Sequence, residues 1–199
     1  MKLTAVILAA GESSRMGRPK ALLEIGIAGE TFLGRLARVF REAGVAEVVV
    51  VLGHAAGELR AAAPAGARVV VNEAWRAGML GSVVAGAAAA TGEAFFIAPV
   101  DHPLFRPSTV RALEAALVDP RIAVAVPTHV GRRGHPLLLR TPLRAELAQV
   151  PPGQGASWVL RRDPARVAEV AVEDPGVVAD VDTPEDYRRL VAKSIESDR

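Results

Sequence analysis

The chain of 199 residues contains no cysteine, which excludes disulfides, thiolate metal sites and cysteine nucleophiles. Aromatic residues make up only 4% of the sequence, so the predicted core is built mainly from Ala, Val and Leu. Net charge is also small, at +2 from 24 basic and 22 acidic residues. Because the sequence has no basic patch with interleaved aromatics, we expect no nucleic-acid partner, and any affinity for phosphate must be local.

Long hydrophobic runs are missing as well. The apolar runs LTAVILAA at 3–10 and VAEVVVVLG at 45–53 are both too short to span a bilayer. A charged loop follows the first run, where a signal peptide would carry a cleavage site of small residues. The sequence therefore predicts a cytoplasmic protein with no membrane partner.

Apolar runs alternate with helical patterns along most of the chain. Short runs of almost continuous apolarity predict strands that are covered on both faces, at 3–9, 47–52, 67–71, 94–98 and 122–126. Helical spacing fills the intervals between them, at 33–40, 82–90 and 110–117. This alternation predicts a three-layer α/β/α sandwich with a Rossmann-like, mostly parallel sheet.

Helix ends carry local signals. Gly44 predicts the end of the helix at 33–40, and Ser108 is the expected N-cap of the helix at 110–117. Thr183, followed by Pro184 and two acidic residues, predicts an N-cap with proline at the first helical position.

The regular alternation of predicted strands and helices ends near residue 128. THVGRRGHPLLLR at 128–140 predicts two short strands around a basic turn, and PPGQGASWVL at 151–160 predicts a loop that enters a helix. We interpret residues 127–165 as a small β-rich insertion over the active site. The chain is therefore predicted to form a single domain, 1–199.

The stretch LAAGESSRMGRPKALL at 8–23 places cationic, glycine-containing sequence directly after the first strand. Gly11 and Gly17 permit backbone angles that other residues avoid, so main-chain N–H groups can converge on an anion. Arg15, Arg18 and Lys20 add positive charge. The stretch fits neither GxGxxG nor GxxxxGK[ST]. By itself it predicts either a phosphate-binding loop or a solvated turn.

Carboxylates occur at two places where an α/β sheet positions its ligands. Asp101, in PVDHPL, follows the strand at 94–98, and a carboxylate at such a strand end suits Mg²⁺. Asp180 and Asp182, in DVDTPEDY, share one face of an extended segment, so one or both can complete the metal site. A helix cap or a turn brace is the alternative role for Asp101, and His102 is interpreted as a turn residue.

Together these segments resemble a known family. LAAGESSRMGRPKALL is similar to the signature L-A-[AG]-G-x-x-x-R-[ML]-G-x-x-K of the nucleotidyltransferase superfamily, in its MobA-like NTP transferase branch. The molybdenum cofactor cytidylyltransferase-like group also resembles this chain at GMLGSV, PVDHPL, GRRGHP and DVDTPEDY, in the same order. The resemblance extends from residue 8 to residue 187 and implies the transfer of a nucleoside monophosphate to a phosphorylated acceptor.

The resemblance further implies that the first loop holds a nucleoside triphosphate. Leu8, Ala10 and Gly11 then lie against the base and sugar, while Arg15 and Lys20 hold phosphates. Ala10 stands where guanylyl-transferring relatives usually carry glycine, and its methyl group narrows the base pocket. CTP is therefore the favoured nucleotide.

The segment GMLGSV is expected to approach the base. Gly78 and Ser82 offer backbone and hydroxyl groups at the start of the helix at 82–90. Gly81 stands where relatives usually have a serine, and Met79 is interpreted as a packing residue.

The family's metal ligands match Asp101 and Asp182, which are expected to hold Mg²⁺ or Mn²⁺, with Asp180 in reserve. Arg15, Lys20 and Asp101 are the implied catalytic residues. Acceptor binding is assigned to His135 and Arg133 in GRRGHP, although its arginines also fit a solvated hairpin tip.

The favoured acceptor is molybdopterin or molybdenum cofactor, and a molybdoenzyme that receives the cofactor is a further partner. Alternatives are a transferase for a sugar phosphate or polyol phosphate, and a catalytically silent nucleotide-binding regulator or chaperone. A redox dinucleotide enzyme is the least favoured.

Overall fold

Strands and helices alternate along the chain in the computed structural model, which describes residues 1–26 and 29–197. The strands are β1 (Leu3–Ala9), β2 (Glu24–Ile25), β3 (Glu30–Thr31), β4 (Glu47–Leu52), β5 (Arg68–Val71), β6 (Ala94–Pro99), β7 (Val124–His129), β8 (Arg132–Arg133), β9 (Leu137–Arg140) and β10 (Val167–Ala171). The helices are α1 (Phe32–Glu42), α2 (Ala56–Ala61), α3 (Met79–Ala89), α4 (Pro107–Ala116), α5 (Arg144–Leu147), α6 (Ser157–Arg162) and α7 (Pro184–Ser197). No helix of this described part is long and apolar enough to cross a membrane.

The main sheet has the strand order β10-β7-β9-β6-β1-β4-β5, and β8 pairs with β7. β1 is parallel to both neighbours, with Ile7 opposite Val50 of β4 and Ala98 of β6. β9 runs antiparallel between β6 and β7, so the sheet is mixed but mostly parallel. The predicted mostly parallel sheet is confirmed.

Alternate residues of β1 enter two separate cores. Ile7 and its odd-numbered neighbours pack with Leu36 of α1 and Leu113 of α4 on one face of the sheet. Val6 and Leu8 pack with Val83 of α3 on the other face. The side-chain alternation of a strand explains this division, and helices on both faces confirm the three-layer sandwich.

The segment 127–165 is not an insertion that stands apart from the sheet. The end of β7 and all of β9 lie inside the main sheet, and only the short β8 extends from β7 as a hairpin. The basic residues Arg132 and Arg133 form β8 itself, while Val130 and Gly131 make the turn. No residue of the segment lines the nucleotide cleft described below, but several of them, including Arg132, Arg133 and Arg161, line the second cavity beside it.

The helix ends confirm two local predictions and correct a third. Helix α1 stops just before Gly44, whose φ is 95°. Thr183 Oγ1 accepts from the Asp186 amide (3.2 Å), while Asp186 accepts from the Thr183 amide (2.9 Å), which makes a capping box. Ser108 is not a cap: Pro107 occupies the first position of α4, so Arg106 is the N-cap residue and Ser108 lies inside the helix.

Candidate active site

A cleft of about 360 Å³ lies beyond the carboxyl ends of β1 and β6. Its walls divide into two chemically different groups. One group is charged and consists of Arg15, Lys20, Asp101 and Asp182. Glu12, from the same loop as Arg15, also lines the cleft. The other group carries no charge and includes Leu8, Ala10, Leu59, Trp75, Gly78 and Ser82. The structure thus brings together every residue that was predicted to bind nucleotide or metal.

The charged group is held together by one lysine. Lys20 Nζ lies 3.3 Å from Asp101 Oδ2 and 2.5 Å from Asp182 Oδ1, and Arg15 Nη1 lies 3.2 Å from Asp182 Oδ2. The Lys20 side chain is only 11% exposed, whereas Arg15 is 68% exposed. The hydrogen bond from Lys20 lowers the pKa of Asp182, and the nearby charges of Lys20 and Arg15 add to this effect.

Two left-handed residues shape the loop between β1 and Lys20. Ser13 has φ 56° and Gly17 has φ 70°, whereas Gly11 does not adopt a positive φ, contrary to the prediction. Ser13 Oγ also accepts a hydrogen bond from the Lys20 amide at 3.1 Å. The loop therefore turns back on itself and fixes the backbone of Lys20 beside the cleft.

Arg18 takes no part in the cleft. Its guanidinium lies over the ring of Tyr187, 5.8 Å from the ring centroid. The Tyr187 hydroxyl in turn donates to the Glu24 carbonyl at 2.8 Å. Of the three cations predicted for this loop, Arg15 and Lys20 supply the charge of the cleft.

The two carboxylates meet through the backbone as well as through Lys20. The Val181 amide donates to the Asp101 carbonyl at 2.9 Å, which places Asp182 beside the end of β6. Asp180 lines a neighbouring cavity instead, so Asp182 is the partner of Asp101. The described residues contain no cluster of three or more His, Cys, Asp or Glu side chains suited to a metal. Two carboxylates still fit Mg²⁺, which commonly takes one or two protein carboxylates together with water and substrate phosphates.

A second cavity of about 580 Å³ adjoins the cleft, and Met79 and Pro99 line both. Met79 is 62% exposed and is therefore not the packing residue that the sequence predicted. Apolar side chains such as Ile97 and Leu160 line part of this cavity, and Arg132, Arg133 and Arg161 add positive charge. All three arginines belong to the segment 127–165.

His135 lines the second cavity but does not act as the predicted cation. Its ring lies 4.7 Å from the ring of His102, and the Nδ1 atoms of both rings are buried without a hydrogen-bond partner in the described structure. Burial, with the neighbouring His102 as a smaller cause, lowers the pKa of His135 to about 4. His135 is therefore neutral near pH 7. His102 is more than a turn residue, because it forms part of the same wall.

The arginines of this cavity differ in their partners. Arg133 donates to Glu169 Oε1 (Nε to Oε1, 3.0 Å), so an acidic side chain already offsets its charge. Arg161 donates to two uncharged groups, Ser157 Oγ at 2.8 Å and Gln154 Oε1 at 3.1 Å. The charge of Arg161 is thus more available to an anionic ligand than the charge of Arg133.

Sequence reasoning missed Trp75, Leu59 and Arg161. Trp75 stands in the segment before GMLGSV, and a tryptophan in a chain with only two was a signal that the prediction did not use. Leu59 and Arg161 belong to helical patterns that carry no local mark of a site, because only the packing of α2 and α6 brings them to the cavities.

A cationic loop and paired carboxylates at the carboxyl edge of a three-layer α/β sandwich define a nucleotide-binding site of the nucleotidyltransferase class. The chain belongs to the family of the MobA-like NTP transferase domain, whose model matches residues 5–170. This confirms the resemblance that the sequence motifs indicated.

Individual relatives differ in the activities that their names state. Nicotine blue oxidoreductase of Paenarthrobacter nicotinovorans is 38% identical over 198 residues, which cover 95% of this chain and 96% of the relative. A protein of Opitutus terrae named "probable molybdenum cofactor guanylyltransferase" is 53% identical over 49 residues, or 25% of this chain and 23% of the relative. A solved protein of Mycobacterium tuberculosis H37Rv in complex with manganese has a TM-score of 0.76 and 33% identity, and the match covers 96% of this chain and 99% of that one.

Proposed function

We propose that the protein transfers CMP from CTP to a phosphorylated acceptor, with molybdopterin or molybdenum cofactor as the favoured acceptor, and releases pyrophosphate. An ionised phosphate oxygen of the acceptor attacks the α-phosphorus of CTP in line, so no Ser, Cys or His nucleophile is needed. Catalysis then consists mainly of positioning and of charge neutralisation.

The observation that carries this proposal is the division of the cleft into a charged and an uncharged group of residues. Arg15 and Lys20 suit a triphosphate, since an arginine fork and a mobile ammonium both bind phosphate oxygens well. Asp101 and Asp182, only 3.3 Å and 2.5 Å from Lys20, belong to the same charged group. The uncharged wall beside Ala10 and Trp75 suits the base and sugar.

Asp101 and Asp182 would hold Mg²⁺ or Mn²⁺ through their carboxylate oxygens, and the manganese complex of the M. tuberculosis relative supports this assignment. A divalent ion bound there supplies neutralisation of phosphate charge. Lys20 and Arg15 offset the negative charge that builds toward pyrophosphate. Removing one such contact commonly reduces the rate by about 10²–10³.

Ala10 supports CTP over a purine nucleotide. It is buried, and it lines the cleft together with the other uncharged residues. A methyl group at this position leaves less room for a base than glycine does, and this penalises the larger ring system of a purine.

The second cavity supports an acceptor that is partly apolar and partly anionic. Apolar walls suit a flat ring system such as a pterin, and the arginines suit its phosphate. Among the acceptor residues predicted from sequence, His135 serves as a neutral wall and Arg133 shares its charge with Glu169. We therefore assign the acceptor's anionic group chiefly to Arg132 and Arg161. A molybdoenzyme would receive the product.

The experiment is an assay of pyrophosphate release with CTP and Mg²⁺, in the presence and absence of molybdopterin. We expect release only when both substrates are present. Release with a sugar phosphate or polyol phosphate in place of molybdopterin would indicate the alternative transferase. Nucleotide binding without release for any acceptor would indicate the silent regulator or chaperone.

The oxidoreductase relative supports a second candidate, a redox reaction that uses a dinucleotide in the same two cavities. Hydride transfer needs neither paired carboxylates nor a cationic loop for a triphosphate tail, so the charged group of the cleft favours nucleotidyl transfer. Oxidation of NADH or NADPH by an aromatic acceptor, without pyrophosphate release from CTP, would support the second candidate over nucleotidyl transfer.

A further inference from the structure

Three uncharged residues of the cleft wall are held next to one another by residues that lie outside the cleft. Ala10, Trp75 and Ser82 line the cleft, and they come from three separate parts of the chain. Gly53 and Asn72 do not line it, yet each contacts two of the three segments. The spacing of the wall therefore depends on these two residues.

Gly53 follows β4 and lies between Trp75 and Ala10. A Cβ built at position 53 would lie 2.6 Å from Trp75 Cβ and 2.8 Å from the Ala10 carbonyl oxygen, closer than real Cβ contacts. Gly53 does not have a positive φ, so its backbone conformation does not require glycine. Glycine is needed here for space, since it allows Trp75 to pack directly beside Ala10.

His54 ties the same two residues together. Its amide donates to the Ala10 carbonyl at 3.0 Å, and its ring meets the Trp75 ring edge-on with centroids 5.2 Å apart. Arg76 lies over the Trp75 ring, 4.2 Å from the centroid, so part of the indole is already covered. The part of the indole that lines the cleft is the surface that a ligand can contact.

Asn72 fixes the Trp75 segment to α3. It is buried, its Nδ2 donates to Ser82 Oγ at 3.0 Å, and its Oδ1 accepts from the Ala74 amide at 3.1 Å. Its carbonyl also accepts from the Trp75 amide at 3.2 Å. One side chain thus sets the position of Trp75 relative to Ser82.

We propose that Trp75 is the wall against which the nucleobase packs, and that Gly53 and Asn72 are positioning residues that set the width of this base subsite. The inference rests on the proposed nucleotide-binding function of the cleft. Trp75 supplies a flat apolar surface for the base, while Gly53 holds that surface close to Ala10. A base larger than cytosine then meets the Trp75 ring before its phosphates reach the charged group.

The test uses Trp75 as its own reporter. In a Trp158→Phe background, Trp75 is the single tryptophan, and the variant is titrated with CTP and with inorganic triphosphate, both with Mg²⁺. We expect CTP to change the Trp75 emission, and triphosphate to bind without changing it. The matched control is Trp75→Phe, in which Trp158 remains and its emission stays constant through both titrations.

The outcomes separate this inference from the proposed function. CTP binding detected by calorimetry with no change in Trp75 emission, or an equal change with triphosphate, would overturn the inference while the function stands. If neither ligand binds, the proposed function fails as well. Trp75→Ala should raise the dissociation constant of CTP roughly tenfold, as expected for loss of one base–aromatic contact, and leave that of triphosphate unchanged.

Positioning variants test the width of the subsite. Gly53→Ala pushes Trp75 away from Ala10, so the preference for CTP over GTP should fall by roughly tenfold. Asn72→Ala should weaken the binding of CTP but not the binding of triphosphate. Gly155→Ala, at a glycine with no atom within 4 Å of an added Cβ, is the control and should leave both ligands unaffected. Equal weakening of CTP and triphosphate in the positioning variants would indicate general damage and contradict the proposal.

Discussion

The ammonium group of Lys20 lies 2.5 Å from Asp182 Oδ1, although 162 positions separate the two residues in the sequence. The same group lies 3.3 Å from Asp101 Oδ2, so a single cation compensates two carboxylates that would otherwise repel each other. A divalent ion held by these carboxylates would take over that compensation. Lys20 would then be free to contact phosphate, and the binding of metal would be coupled to the binding of nucleotide.

Replacing Lys20 by methionine should therefore strengthen binding of metal alone. The lysine would compete with Mn²⁺ for both carboxylates, and its removal should lower the dissociation constant of Mn²⁺, measured without nucleotide, by roughly tenfold. Binding of inorganic triphosphate should weaken in the same variant, because a phosphate contact is lost. Electron paramagnetic resonance of free Mn²⁺ measures the first effect, and calorimetry measures the second.

The control for this variant is Lys2→Met, which removes a lysine at the opposite end of β1. It should change neither dissociation constant. Weaker Mn²⁺ binding in Lys20→Met than in the wild-type protein would contradict the competition between lysine and metal.

Asp101→Asn and Asp182→Asn should each reduce pyrophosphate release by at least about 10²-fold, because each removes a proposed ligand of the divalent ion that would neutralise phosphate charge. Circular dichroism should show an intact fold, since both side chains lie at the rim of the sheet rather than in its cores. Asp119→Asn is the matched control, because Asp119 lines neither cavity, and Asp180→Asn tests the alternative ligand. A larger loss in Asp180→Asn than in Asp182→Asn would move the metal site to Asp180.

The layers of the fold were predictable because their signals are local. The run LTAVILA alone indicates a strand covered on both faces, and Ile7 and Leu8 do enter opposite cores. The antiparallel position of β9 was not predictable, since strand order depends on pairing between distant segments. The same holds for Asp174, which accepts from the Arg106 amide (2.8 Å) and Thr109 Oγ1 (2.6 Å) at the start of α4.

The same distinction between local signals and distant contacts applies to the candidate site. Arg15, Lys20, Asp101 and Asp182 stand in motifs whose order along the chain is informative, so the sequence identified them before the structure brought them together. The neutral state of His135 was not predictable, because it results from burial and from contact with His102, which lies 33 positions away. A histidine in a basic segment is expected to be a cation until its surroundings are known.

Gly86 should not tolerate alanine, although alanine favours a helix. Gly86 lies in α3 against β1 and β4, where an added Cβ would overlap Val6 and lie 2.9 Å from Val51 Cγ2. Overpacking costs about 1–3 kcal/mol, which exceeds the helix-propensity gain of about 0.5–1 kcal/mol. Urea denaturation should show a net loss of about 1–2 kcal/mol in the free energy of unfolding. Gly57→Ala in α2, with no atom within 4 Å of the added methyl, should be neutral or stabilising.

The stability of the protein should depend on pH through His135. Burial lowers its pKa in the folded state from 6.5 to about 4, so below pH 6.5 the unfolded chain binds a proton that the folded protein does not. The stabilising contribution is therefore complete above about pH 6.5 and decreases as the pH falls toward about 4, by up to about 3 kcal/mol. Urea denaturation between about pH 7 and about pH 4 measures this slope.

His135→Gln should flatten that slope, because glutamine fills a similar volume and does not titrate. Part of the slope should remain, since burial also lowers the pKa of His102. His129→Gln is the control: His129 lies in β7 and its Nδ1 contacts the Val172 carbonyl at 3.0 Å, so this histidine has the backbone partner that His135 Nδ1 lacks. An unchanged pH slope in His135→Gln would show that the pKa of His135 is the same in the folded and the unfolded protein, and would contradict the effect of burial.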